Sequence, residues 1–92
     1  MTTYTDMPLV LVEWVDIESN PQWQSVEEAT ARHCPVHFGV GFILKMDKDE
    51  LTLVHNTGRD DPRCDNTIYP RGCVKSIKAL RIGGDYKRGS KK

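Results

Sequence analysis

The sequence predicts a mainly-β (α+β) domain: a small, partly open barrel of about five strands, with one short helix after the first strand. Three observations predict it. Residues 36–46 place a large apolar side chain at every second position. A run dense in β-branched and aromatic residues, LVLVEWVDIE, precedes them. Only one stretch, beginning at Ser25, carries a helix-start signal. Ninety-two residues give room for one domain. So short a chain buries a modest share of its surface, which makes self-association a natural source of stability.

Residues 9–18 form the first predicted strand, with Leu9, Leu11, Val15 and Ile17 on one side and Val10, Val12 and Trp14 on the other. Ser19-Asn20-Pro21 ends it. Ser-Val-Glu-Glu from Ser25 has capping-box spacing, so a helix over residues 26–33 is expected, stopped by Pro35. Two turns do not stand alone in water, so Val26 and Ala29 should pack on the sheet above Trp23. Along residues 36–46, Val36, Phe38, Val40, Phe42, Leu44 and Met46 are expected to face the core. Gly39 and Gly41 share the opposite side with His37, Ile43 and Lys45, and predict a bend or a close backbone approach. Asp47-Lys48-Asp49 turns the chain into a return strand over residues 50–55, with Leu51 and Leu53 inward.

Residues 55–66 read as a polar loop punctuated by Gly58 and Pro62. Short strands follow over residues 67–69 and 73–80, with Ile77 and Leu80 expected in the core. The domain is expected to span residues 1–82. Residues 83–92 are glycine-rich and basic, a composition that favours disorder. One helix and about five strands suit a barrel of the SH3-like or Sm-like type.

The zero formal charge hides a division. Residues 1–70 hold 5 basic and 12 acidic side chains, and residues 71–92 hold 8 basic and one acidic. Cys34, Cys64 and Cys73 make no even disulfide framework, and the start of the chain lacks a basic, then apolar, leader pattern. A reducing, cytoplasmic location is therefore expected, with no membrane partner.

His33, Cys34 and His37 are the nearest approach to a metal cluster, but no Cys-x-x-Cys pair accompanies them, so no metal and no cofactor is expected. No phosphate-cradling loop or nucleophile elbow occurs, and the expectation is a protein that is not an enzyme. Asp16, Glu18, Glu27 and Glu28 read as structural carboxylates, Glu28 in the cap and Glu27 in the favourable first helical turn. Trp14 and Trp23 read as core, although an exposed tryptophan would instead suggest an interface anchor. The loop offers the candidate ligand site. Arg59, Arg63 and Arg71 present planar forks suited to phosphate, and His55 and Tyr69 add hydrogen bonding and stacking.

Three stretches carry a resemblance: V-x-W-x-D-I-x-S-N-P-x-W from Val12, V-G-F-I-L-K-x-D from Val40, and I-Y-P-R-G-C-V-K-S-I from Ile68. Together they resemble small accessory proteins of tailed bacteriophages, and Tyr-Pro-Arg-Gly before a strand is similar to the last hairpin of Sm-like barrels. The resemblance implies a viral protein in the host cytoplasm. Three functions are expected in turn. The first is a homo-oligomer that sequesters a phosphorylated nucleotide signal and so counters host antiviral defence. The second is an RNA- or DNA-binding barrel using Lys87, Arg88, Lys91 and Lys92. The third is a protein inhibitor that docks a host enzyme.

Overall fold

A computed structural model describes residues 6–87. Its elements are β1 (Leu9–Val15), α1 (Val26–Thr30), β2 (Val36–Met46), β3 (Glu50–Thr57), β4 (Cys64–Pro70), a 3-10 turn (Arg71–Cys73) and β5 (Val74–Ala79). The strands make one open antiparallel sheet in the order β4-β3-β2-β1-β5. The mainly-β expectation and the tight β2–β3 hairpin are both present. Asp47 Oδ1 accepts from the backbone N–H groups of Asp49 and Glu50, at 2.9 and 2.8 Å, and so closes that hairpin.

Which side of the sheet is buried follows from the register. Val10 pairs with Gly41, Val12 with Gly39 and Trp14 with His37. Leu53 pairs with Ile43 and with Thr67, and Leu51 with Tyr69. Paired residues share a face, so Val10, Val12, Leu51, Leu53 and Tyr69 collect on one side, where all are buried. Trp14, Ile43, Val74 and Ile77 pack around them.

The sheet folds sharply over this face. Trp14 on β1 and Tyr69 on β4 are three strand spacings apart in the sheet order, about 14 Å if it were flat. Their ring centroids instead stand 5.3 Å apart, edge to face. Gly39 makes this possible: a Cβ there would come within 2.7 Å of the Tyr69 hydroxyl.

The alternating row on β2 is therefore the reverse of the expectation. Of the six residues expected in the core, Val36, Phe38, Val40, Leu44 and Met46 are exposed and Phe42 is half-buried, while the glycine side faces the core. Period-two alternation identifies a two-faced strand but does not say which face is covered. Here the large side chains of β1, β3 and β4 fill the inner side, and only glycine leaves them room. A register shift after Ile43 also breaks the alternation before Met46.

The helix departs from expectation as well. Its capping box forms, with Ser25 Oγ accepting from the Glu28 N–H and Glu28 Oε1 accepting from the Ser25 N–H, both at 3.0 Å. Yet α1 has five residues and buries none of them. Trp23 is fully exposed, and Val26 nearly so. The chain between β1 and β2 is an arm closed at its base by the Asp16 N–H donating to Pro35 O at 3.0 Å and by Arg32 paired with Glu18 at 2.7 Å. This arm helps explain a radius of gyration of 17.8 Å, against about 12 Å for a compact chain of this length. Ser25→Ala should fray α1, a local loss of about 1 kcal/mol. Because α1 buries none of its residues in its own chain, urea unfolding of the protomer should stay within about 0.5 kcal/mol of the parent.

Strand boundaries move as well, with β1 ending at Val15 instead of residue 18. β3 runs on to Thr57 and β4 begins at Cys64, so the polar loop shrinks to residues 58–63. The last strand starts one residue late, after the 3-10 turn, and Leu80 lies outside the core. Residues 83–87 have no regular secondary structure, while Arg88, Lys91 and Lys92, part of the expected tail, lie outside the described residues.

Candidate functional site

The five residues expected to bind a ligand do not form one group within the chain. Arg63 is held by Asp61: its Nη2 and Nε donate to Asp61 Oδ2 and Oδ1 at 2.7 and 2.9 Å. Those bonds hold the Asp61 carboxyl below its ordinary range and raise the Arg63 guanidinium further. Arg71 stands at the other end of β4, about 23 Å along a strand of seven residues. Its Nη1 donates to Asp47 O at 2.7 Å, and its backbone N–H donates to Asp49 O at 2.9 Å, so it braces the β2–β3 turn. Arg59 is exposed, and its guanidinium joins none of the ion pairs among the described residues.

His55 and Tyr69 serve the sheet. The Val40 carbonyl can only accept, so His55 Nδ1 carries the hydrogen and donates to it at 2.8 Å. In that tautomer Nε2 accepts from Thr67 Oγ1 at 2.9 Å, and one imidazole ties β2, β3 and β4 together. Tyr69 is 5% exposed, and desolvation raises its hydroxyl pKa. Its ring meets that of Trp14 edge to face, with centroids 5.3 Å apart.

Asp65 fixes the loop from its other side. Its carboxylate accepts from the Asn56 side chain at 2.7 Å and from the Asn56 backbone N–H. These bonds, the side-chain one first, lower its pKa from the ordinary 3.8. A lowered carboxylate pKa adds stability above the unfolded value, lost as pH falls through the folded one. Amide exchange across residues 56–65 should therefore accelerate as pH drops below 3.8, once corrected for intrinsic rates. Asp65→Asn should reduce that dependence, leaving the part that Asp61 supplies through its bonds to Arg63.

Three concavities bear on the site, and the shallowest, of about 400 Å³, lies open to solvent beside the loop, against Asn56, Gly58, Arg63 and Asp65. A second, of about 300 Å³, lies where residues 57–64 fold over the outer side of β3, against Leu44 and Val54. The third, of about 220 Å³, lies where the ends of β1 and β4 face each other across the fold of the sheet. Trp14, Tyr69, Ile17, Ile68, Pro70 and Cys73 are among its walls, and Asp16 sits at its edge, 3.8 Å from His37 Nε2. Ile17 and Ile68 project from it into solvent. Small-molecule sites usually occupy roughly 300–1,000 Å³, so this groove suits one bulky side chain better than a nucleotide.

Sequence reasoning missed this groove because its walls come from the ends of strands distant in the chain. The signal within reach was the 20-residue interval between the paired residues Val15 and Val36, which carries apolar residues with no periodic partner.

Among the described residues, no group of three or more His, Cys, Asp and Glu side chains could hold a metal ion, and no helix is long and apolar enough to cross a membrane. Fold and surface together define a small mainly-β protein with an open five-stranded antiparallel sheet. The chain matches no known protein-family model, no curated protein and no solved structure.

Proposed function

We propose that this chain is a non-enzymatic binding module of the SH3-like or Sm-like barrel type, working as a homo-oligomer in the phage setting that its sequence resemblance implies. The observation that carries the reading is the row Val36, Phe38, Val40 and Leu44, exposed along β2. A contiguous apolar strip of this kind marks an interaction surface. The barrel type is supported by the sheet order, by the short 3-10 link between the two edge strands, and by the Trp14–Tyr69 contact across the fold.

Sedimentation velocity over a wide concentration range tests the reading. Self-association is expected, and Phe38→Ser and Val40→Ser should weaken it while leaving the protomer's circular dichroism unchanged. A monomer at every concentration would overturn it.

Capture of a phosphorylated nucleotide is the second reading, favoured by the exposed, unneutralised guanidinium of Arg59. With Arg71 at the far end of β4, this reading requires adjoining subunits to bring the arginines together. Calorimetry with a panel of cyclic nucleotides checks it, and no heat from an intact oligomer would remove it.

A further inference from the structure

We propose that the arm between β1 and β2 is an assembly element, and that Trp23 of one copy seats in the groove between the ends of β1 and β4 of a second copy. The proposal rests on the homo-oligomer reading and adds to it the contacting parts. Two independent observations point to one contact.

The first is an apolar arm with no cover. Ile17 is 84% exposed, Val26 is 84% exposed and Trp23 is wholly so, although all three stand within ten residues. A five-residue helix is marginal in water even with a good cap, and tertiary packing normally supplies what it lacks. In its own chain α1 buries nothing. The base of the arm, by contrast, is tied by the Asp16–Pro35 bond and the Arg32–Glu18 pair, so the tip is presented outward on an anchored stem.

The second is a groove of matching character. Its walls include two aromatic rings and a proline, its rim carries the exposed Ile68, and its volume of about 220 Å³ is small for a cofactor. Buried tryptophans are over-represented among residues that dominate binding energy, and they do so in pockets ringed by neighbouring contacts. One aromatic side chain covers roughly 150–250 Å², a fifth to a third of the roughly 800 Å² per partner in a standard interface. Val26 and the arm backbone extend that area.

A second copy is the occupant because the chain itself supplies both halves: an uncovered tryptophan and an aromatic groove for one side chain. The contact joins unlike surfaces, so the rotation between copies decides among a reciprocal pair, a closed ring and an open row of copies.

Two measurements test the proposal. In sedimentation, Trp23→Ser should weaken self-association at least about tenfold, as loss of a hot-spot residue does. Ile68→Lys at the groove rim should do the same, and the double variant should lose little more than either single one, because both changes remove one contact. Both residues are exposed in the protomer, so neither change should unfold it. For direct proximity, Gln22→Cys and Gln24→Cys are each mixed as isotopically heavy and light copies and treated with a short bis-maleimide. Mass spectrometry should find residue 22 or 24 of one copy joined to Cys73 of another.

Links to Cys73 only within one copy would overturn the proposal, as would no such link at all. An oligomer insensitive to Trp23→Ser and Ile68→Lys would overturn it while leaving the homo-oligomer reading in place. A monomeric parent protein would remove both.

Discussion

Leu53→Ala should destabilise the chain by about 2–5 kcal/mol, the range for truncating a fully buried leucine. Leu53 has no exposed surface, pairs with Ile43 on one side and Thr67 on the other, and lies in the centre of the sheet's folded face. Few buried residues share its cluster: Val10, Val12, Leu51 and Tyr69. A core so small has little capacity to close over a cavity. Small domains hold roughly 5–15 kcal/mol in all, so the change removes a large share of the total. Urea unfolding at fixed protein concentration checks it, with a lower midpoint and an unchanged slope as the expected result. A loss under about 1 kcal/mol would mean that the inner face is not the core.

Gly41→Ala should cost about 1–3 kcal/mol, the usual effect of forcing extra volume into a packed site. A Cβ at position 41 would stand 2.8 Å from Val54 O, 3.1 Å from His55 Nδ1 and 3.2 Å from Leu53 Cβ. The nearest atom is backbone, held in the β2–β3 ladder, so it yields only if the strands part. The same shift would strain the hydrogen bond from His55 Nδ1 to Val40 O. Gly72→Ala is the internal control. Nothing lies within 4 Å of a Cβ there, and its unfolding should fall within about 0.5 kcal/mol of the parent. Equal effects at the two positions would show that glycine's backbone entropy, and not the close approach, governs both.

These two positions also show how far local pattern reaches. The glycine pair on β2 signalled a close approach, and the Tyr69 hydroxyl beside Gly39 and the Val54 carbonyl beside Gly41 are that approach. The same alternation assigned the opposite row to the core, because period two is symmetric between faces. Ser25 and Glu28 signalled the cap correctly, since capping is settled within four residues. Where α1 packs is not settled there, and in its own chain it buries no residue.

The candidate ligand residues divide along the same line. That Arg63 and Asp61 would pair was legible from a spacing of two residues. That Arg71 would brace Asp47, and His55 would bridge Val40 and Thr67, depended on which strands lie side by side.

By itself, then, the sequence determined the strands, the β2–β3 hairpin, the helix cap and the glycines that let the sheet bend, because each follows from interactions between near neighbours in the chain. Only the tertiary structure decided which face of β2 is covered, that Trp23 and Val26 stand free on an arm, and that the ends of β1 and β4 meet in a groove. Those outcomes depend on side chains brought together by the fold of the sheet, whose pairing no local period encodes.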